Sequence, residues 1–371
     1  MSREKTESRL VDPVRHRKDE KGLTLEETLK KITPLNQEAM DAAWRRWSET
    51  SIPIHSLGKL QDAVAAIAGM LGTADVALDK KALVVMCADN GVVEEGISQS
   101  GQEVTKIIAE NFLKEKATAA IFCKKSGADV FPVDIGIASD NLLPNYKVAY
   151  GTKNFAKEPA MTREQAVQAI EVGIHMAEEL YEKGYRILAT GEMGIGNTTT
   201  SSAMTAAFTG VSVDEVTGRG AGLSSAGLKK KVQVIEDALK RYQPDPEDPI
   251  GVLSCVGGFD IAGMCGVFLG GAALGIPVVI DGFISGVAAL TAYKLCPLSK
   301  QYMFASHLSQ EPASKLILDT LGVEGFMDCR MRLGEGSGAV LLFPILDMAM
   351  EVYRSVASFD ENNMEHYVPL S

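Results

Sequence analysis

The residues of this chain whose types and spacing best suit chemistry lie at positions 191–202, in the run GEMGIGNTTTSS. Glycines let the backbone come close to an anion, and a helix beginning near Asn197 would point unpaired N–H groups and the positive end of its dipole at it. The spacing of Gly191, Gly194 and Gly196 is not that of the dinucleotide motif, and no Gly-Lys-Ser/Thr follows as in a P-loop. The run predicts a phosphate-binding turn, with an ordinary tight turn before a capped helix as the structural alternative.

The flanking segments predict the elements that hold this turn. Residues 185–190, YRILAT, are typical of a short buried strand, and residues 203–208 continue as an apolar helix. Further apolar strands at 81–87, 128–134 and 276–282 alternate with helical patterns along the chain. Such alternation predicts an α/β fold with a doubly wound, mostly parallel sheet.

The beginning of the chain has a different character. Residues 1–22 are polar and charged, which predicts a loose N-terminal arm without a signal peptide. Residues 23–32, 37–48 and 57–71 then show helical spacing of apolar residues, with no strand between them. Three consecutive helices predict a small helical domain or cap over residues 23–75.

Composition excludes several classes of protein. The formal net charge of −11 over 371 residues argues against a nucleic-acid surface, which requires clustered Lys and Arg. No stretch reaches the roughly 20 apolar residues of a membrane span. The five histidines and six cysteines show no metal-ligand spacing, so we expect no metal site and reduced thiols. We expect a cytoplasmic enzyme that holds any anionic ligand locally.

Two carboxylates directly follow predicted strands. Asp89 follows the strand at 81–87, and Asp281 comes at the end of the strand at 276–282. Open α/β sheets bind ligands at the carboxyl ends of their strands, so both are candidate binding residues. For Asp281 the alternative is an N-cap for a helix starting near Phe283. The segment 92–101 is either a binding loop or an ordinary surface connection.

Two further candidates carry charge near the expected site. Glu335 lies between Gly334 and Gly336 and has little side-chain cover of its own, which is typical of a general base, although a Glu near a helix N-terminus can also be a simple cap. Three lysines at 229–231 form either a solvated helix face or a source of one counter-charge for the phosphate.

Taken together, these motifs resemble a known family. The runs GEMGIGNTT (191–199), GRG (218–220), VGGF (256–259), DGFI (281–284) and RLGEGSG (332–338) are similar to those of the nicotinate-nucleotide:dimethylbenzimidazole phosphoribosyltransferases of cobamide biosynthesis. The resemblance runs in order from about residue 25 to 355. It implies transfer of the ribosyl 5′-phosphate of nicotinate mononucleotide to an aromatic base, with inversion, giving an α-riboside for the lower ligand of a cobamide.

The resemblance also implies an architecture and a set of roles. It implies a dimer without metal or redox cofactor, a small helical domain of residues 23–75 plus about 340–371, and a nucleotide-binding α/β domain of residues 76–339. Glu335 would be the general base that takes the N–H proton of the incoming base. The residues implied to bind the donor are Glu192, Gly194, Ile195, Gly196, Asn197, Gly220, Lys231 and Asp281. The residues implied to bind the acceptor base are Asp89, Ser98, Lys106 and Leu333.

The chain departs from the family pattern mainly on the acceptor side. The departures are Asn90 in a usual Asp-His-Gly, Gln99-Ser100-Gly101 after Ser98, Ala221 for threonine, Asp260 for glutamate and Ala313-Ser314 for Gly-His. They leave three hypotheses open: a phenolic or purine acceptor, a heterodimer with a paralogous subunit, and a nucleotide-binding paralogue without turnover. A nicotinamide-dependent oxidoreductase is disfavoured because the dinucleotide motif is missing.

Overall fold

The structure is a computed structural model, and it describes residues 22–53 and 55–367. The predicted polar arm at residues 1–22 therefore lies outside the described residues, apart from Gly22. The last four residues of the predicted C-terminal part of the helical domain lie outside them as well.

Within the described residues, fourteen α-helices and five β-strands alternate along most of the chain. The strands are β1 (Lys81–Ala88), β2 (Asp129–Gly136), β3 (Ile187–Met193), β4 (Val278–Ile280) and β5 (Met303–Ala305). The helices are α1 (Leu25–Lys31), α2 (Gln37–Glu49), α3 (Lys59–Leu71), α4 (Glu103–Leu113), α5 (Thr118–Ser126), α6 (Arg163–Glu182), α7 (Asn197–Thr209), α8 (Val213–Val216), α9 (Ser225–Tyr242), α10 (Pro249–Val256), α11 (Phe259–Ala273), α12 (Phe283–Leu295), α13 (Ser314–Leu321) and α14 (Ser337–Ser355).

The five strands form one parallel sheet in the order β2-β1-β3-β4-β5. All seven residues of β3 are buried, and so is β1 beyond its first residue. Side chains of a strand point alternately to its two faces, so helices must cover both faces of the sheet. This confirms the predicted α/β fold with a parallel sheet.

Helix α11 is buried along almost its whole length and packs closely against α6. A Cβ atom on Gly266 would collide with the carbonyl oxygen of Ile170, and one on Gly173 with that of Gly263. The glycines of α11 therefore serve close helix packing within the chain. Such close approach brings the backbones of the two helices into direct contact.

The two ends of the described chain pack together. The ring of Trp47 in α2 lies edge-on to Tyr353 in α14, with 5.0 Å between ring centroids, and Thr50 forms an antiparallel bridge with Ser358. Helix α14 also contacts β3 and β4, so it belongs to the core of the sheet as much as to the helical part. The division into a helical and an α/β domain remains a prediction. None of the described helices has the length and apolar character needed to cross a membrane.

Candidate active site

A cavity of about 460 Å³ opens at the carboxyl ends of β3, β4 and β5. Glu192 is the penultimate residue of β3, Asp281 follows β4 directly, and His307 lies two residues after β5. All three line the cavity. Parallel strands end at the same edge of their sheet, so polar residues far apart in sequence come together here. Loops at 97–99, 219–223 and 332–335 complete the walls.

The predicted phosphate turn is shorter than the sequence suggested. Strand β3 continues through Met193, so Gly191 and Glu192 belong to the strand, and the turn itself spans only three residues before α7 begins at Asn197, as expected. Gly196 has a φ of 94°, which suits glycine far better than other residues. The N–H of Ile195 donates to Thr105 Oγ1 at 3.1 Å, and that of Asn197 donates to the carbonyl oxygen of Gly194 at 3.1 Å, so these two of the expected anion-binding amides already have partners.

Lys231 supplies a buried positive charge beside this turn. Of the three neighbouring lysines, Lys229 and Lys230 are exposed, whereas Lys231 is 1% exposed and lines the cavity. Its Nζ donates to Thr198 Oγ1 at 2.9 Å and to the carbonyl oxygen of Gly218 at 3.1 Å. Burial lowers the pKa of Lys231 to about 8. An anion bound there would stabilise the charged ammonium and raise this pKa again.

Glu192 and Asp260 form a buried acidic pair joined by one amide group. Asn197 donates through Nδ2 to Glu192 Oε2 and, at 3.0 Å, to Asp260 Oδ2. Burial, with the neighbouring Asp260 carboxylate as second cause, raises the pKa of Glu192 to about 8. Burial raises the pKa of Asp260 to about 6. The pair holds at least one proton near neutral pH, and a cationic ligand beside Glu192 would favour its ionised form.

Asp281 holds the loop that carries Glu335. Its carboxylate accepts from the N–H of Gly338 at 2.7 Å, of Ala339 at 3.0 Å and of Gly336 at 3.2 Å. The carboxylate thus caps the N-terminus of α14, not that of α12 as the sequence alternative had it. Burial raises the pKa of Asp281 to about 7, against the lowering by these three amides.

Glu335 lies in an unusual backbone segment. Its φ is 64°, between Gly334 at 90° and Gly336 at 85°, so three successive residues are left-handed. Its side chain accepts from the N–H of Ala119, in the first turn of α5, at 3.3 Å. Burial raises the pKa of Glu335, and the amides of Ala119 and Thr118 oppose this. A non-glycine residue held in this region is costly, and such residues cluster at functional sites.

The loop of Glu335 also lies directly on β3. A Cβ atom on Gly191 would collide with the carbonyl oxygen of Glu335. The N–H of Glu335 donates to Glu192 Oε1 at 3.3 Å. The contact between β3 and this loop therefore fixes the positions of both Glu192 and Glu335.

Most of the predicted site residues line this one cavity. They are Ser98, Glu192, Gly194, Ile195, Gly196, Asn197, Gly220, Lys231, Asp281, Leu333 and Glu335.

Asp89 and Lys106, which we expected to bind the acceptor, are not among the lining residues. Asp89 is buried under the loop after β2: its Oδ2 accepts from the N–H of Ala138 at 2.8 Å, and its carbonyl oxygen accepts from Thr152. This loop covers the carboxyl end of β1, where the strand-end argument had placed a ligand. On α4 the cavity is lined by Ile108 instead of Lys106.

Among the polar lining residues that the sequence predictions missed are His307, Ser309 and Glu311, which follow β5 closely. Strand β5 has only three residues, too few for a periodic pattern to predict it. The one sequence signal for β5 was its position after a helix. Across the described part of the chain, no group of three or more His, Cys, Asp or Glu side chains is arranged to hold a metal ion.

Comparison with known proteins agrees with this geometry. A sequence model of a family described as "Phosphoribosyltransferase" matches residues 32–364. A protein from Acetivibrio thermocellus named nicotinate-nucleotide–dimethylbenzimidazole phosphoribosyltransferase is 48% identical over 346 residues, covering 92% of this chain and 99% of the relative. The chain belongs to this family of phosphoribosyltransferases. The resemblance inferred from its motifs is thereby confirmed.

Other members of the family support the same assignment. A protein of the same name from Chloroflexus aggregans is 47% identical over 343 residues, covering 91% of this chain and 97% of the relative. The crystal structure of CobT from Thermus thermophilus superposes with a TM-score of 0.85 at 36% identity, covering 89% of this chain and all of that one. The family fold thus extends over nearly the whole chain.

Proposed function

We propose that this chain transfers the ribosyl 5′-phosphate of nicotinate mononucleotide to dimethylbenzimidazole. The bond from the anomeric carbon to the nicotinate nitrogen breaks, and a bond to a nitrogen of the benzimidazole forms on the opposite face. Glu335 takes the N–H proton of the benzimidazole. The products are nicotinate and an α-riboside 5′-phosphate, which provides the lower ligand of a cobamide. The observation that carries the proposal is one cavity lined both by a buried lysine beside a helix N-terminus and by the Glu335 loop.

The phosphate of the donor binds at the turn before α7. Lys231 and Thr198 lie there side by side, and the helix dipole of α7 favours an anion. Because the chain as a whole is acidic, local positive charge is needed to favour an anionic substrate, and Arg219 and Arg332 line the same cavity as Lys231. The folded chain buries the Lys231 ammonium before any substrate binds, and the lower local dielectric strengthens its interaction with the phosphate.

Glu192 faces the ribose. Departure of nicotinate leaves positive charge on the sugar, as in other glycosyl transfers that pass through an oxocarbenium-like transition state. A buried carboxylate beside that carbon stabilises the charge more than an exposed one, because little water screens it. Asn197 holds Glu192 in place and Asp260 shares the same amide. Both Glu192 and Asp281 in turn hold the segment that carries Glu335.

Glu335 is the general base. Its raised pKa makes it a stronger proton acceptor than an exposed glutamate. For a flat aromatic acceptor, the cavity lining offers the apolar side chains of Leu333 and Ile108 and the hydroxyl of Ser98. Apolar walls with few polar groups are typical of small-molecule sites.

The decisive experiment incubates the protein with nicotinate mononucleotide and a panel of bases that includes dimethylbenzimidazole, phenols and purines. Mass spectrometry identifies any riboside phosphate, and chromatography measures nicotinate release. We expect the dimethylbenzimidazole product. A product with a phenol or purine alone would favour the alternative acceptors, and calorimetric binding of the nucleotide without nicotinate release would favour a paralogue without turnover.

We also propose that the chain forms a homodimer in the cytoplasm. Ile107 on α4 and Leu333 on the Glu335 loop are apolar and more than half exposed, as at a subunit interface. Light scattering of the purified chain tests the dimer, and a monomer that becomes active only with a second gene product would favour a heterodimer with a paralogue. Cell fractionation tests the location.

A further inference from the structure

We propose that His307 binds a ribose hydroxyl of the donor through its Nε2 atom, as a neutral imidazole whose hydrogen is held on Nδ1. The inference rests on the proposed function, because it identifies the hydroxyl as one of nicotinate mononucleotide. It adds to that function a residue that recognises the sugar.

His307 stands where the reacting sugar must lie. It follows β5 by two residues, lines the cavity, and is 4% exposed. Glu192 and Asp281 lie at the carboxyl ends of β3 and β4, the next two strands of the sheet. A Cβ atom on Gly338, in the first turn of α14, would collide with Nδ1 and Cε1 of the ring. The imidazole is therefore packed against the same helix N-terminus that Asp281 caps.

The hydrogen bonds of Ser306 determine which ring nitrogen carries the hydrogen. Ser306 Oγ donates to the carbonyl oxygen of Asp281 at 2.9 Å, and Oγ also lies 3.0 Å from His307 Nδ1. A serine hydroxyl has one hydrogen, and the carbonyl oxygen can only accept. Nδ1 must therefore be the donor to Ser306 Oγ. Burial lowers the pKa of His307, although Asp328 opposes this, so Nε2 keeps its lone pair.

Nε2 is then a hydrogen-bond acceptor without a protein partner. It makes no hydrogen bond within the described residues, and it is not among the polar atoms sealed away from solvent. Since His307 lines the cavity, the accessible Nε2 atom is available to a ligand there.

The chemistry of nicotinate mononucleotide determines which of its groups can donate a hydrogen bond to Nε2. The phosphate and the nicotinate carboxylate of nicotinate mononucleotide are anionic acceptors and gain nothing from a second acceptor. The two ribose hydroxyls are the hydrogen-bond donors of this molecule. The N–H of the incoming base is the other donor in the reaction, and it is proposed to face Glu335. A ribose hydroxyl is the partner that remains.

The test measures dissociation constants by calorimetry without acceptor base, for nicotinate mononucleotide and its 2′-deoxy and 3′-deoxy analogues. His307→Asn keeps a donor near the Nδ1 position but has no acceptor near Nε2, whereas His307→Gln places an amide oxygen near Nε2. We expect the Asn variant to bind the natural donor roughly two- to tenfold more weakly, the value of one neutral hydrogen bond. We expect the Gln variant to recover part of this loss.

The analogues identify the interaction. For one of the two deoxy analogues, the wild type should bind the analogue more weakly than it binds nicotinate mononucleotide. The Asn variant should bind that analogue and nicotinate mononucleotide equally well. If both analogues lose the same affinity in wild type and variant, or if the Asn variant binds the natural donor as tightly as the wild type, the inference is wrong. Melting temperatures check folding. Should the Asn variant not fold, Ser306→Ala decides, because loss of the acceptor for Nδ1–H should reduce the same discrimination.

Turnover separates this inference from the proposed function. The wild type is assayed in parallel with nicotinate mononucleotide and dimethylbenzimidazole. Absence of riboside product would overturn the proposed function itself. If the wild type turns over normally but the His307→Asn variant discriminates between the natural donor and the deoxy analogues as the wild type does, only the role of His307 is overturned.

Discussion

Replacing Glu335 by Gln tests the proposed base with little change of structure. The two side chains have the same length, and the amide oxygen of Gln can still accept from the N–H of Ala119, which now lies 3.3 Å from the carboxylate. The left-handed backbone of residue 335 is equally demanding for both residues. The substitution removes the basicity and leaves the contacts, so a loss of rate can be assigned to proton transfer.

The expected magnitude follows from the role. A general base contributes about 10²- to 10⁴-fold to the rate, which corresponds to roughly 3 to 5 kcal/mol of activation free energy. We expect kcat to fall by about this factor while KM for nicotinate mononucleotide changes less than about threefold, because Glu335 is proposed to face the acceptor. Burial raises the pKa of Glu335, so wild-type kcat/KM should also rise with pH as the carboxylate ionises, and the variant should lose this rise.

The assay is nicotinate release and riboside formation under saturating dimethylbenzimidazole. Glu236→Gln is the matched control, because Glu236 lies exposed on α9 away from the cavity lining. Glu335→Gly is a companion variant: it relieves the left-handed conformation, which costs about 1 to 2 kcal/mol for a residue with a Cβ. It should lose activity like Gln without a lower melting temperature. A Glu335→Gln enzyme with kcat within threefold of wild type would refute the assignment.

Three further substitutions test other parts of the site. Lys231→Met should raise KM for nicotinate mononucleotide about 10- to 100-fold, which is the value of a charged hydrogen bond. Variant and wild type should use the phosphate-free riboside equally well. An unchanged KM for nicotinate mononucleotide would contradict the phosphate site. Burial raises the pKa of Glu192 from 4.5 to about 8, so the folded chain keeps a proton that the unfolded chain releases, and the free energy of unfolding falls as pH rises across that interval. Glu192→Gln removes this contribution, and its melting temperature should fall less than that of the wild type between about pH 5 and 8; parallel curves would show that Glu192 is ionised throughout. Gly191→Ala places a Cβ against the carbonyl oxygen of Glu335. We expect the free energy of unfolding, measured by urea denaturation, to fall by about 1 to 3 kcal/mol, and most of kcat to be lost. Wild-type values for both would show that the loop adapts to the added methyl group.

Features carried by neighbouring residues were predictable from the sequence. The alternation of apolar strands and helices predicted the parallel sheet. The Thr-x-x-Gln pattern at residues 162–165 is the sequence signature of the capping box that begins α6. The glycine spacing before Asn197 predicted the turn into α7. The individual strands and helices, the capping box and the turn depend on interactions within a few residues of chain, which local propensity and periodicity report directly.

The arrangement of the site depended on contacts between segments distant in the sequence. Asp281 caps α14 across more than fifty residues, and Ser306 orients His307 through a carbonyl of the neighbouring strand end. Asp89 has the same position after its strand as Asp281, yet a later loop covers it. A single sequence states which residue follows a strand. Only packing of the whole chain decides whether a ligand, a helix N-terminus or a covering loop meets it, because burial and hydrogen-bond partners are properties of the folded assembly of segments.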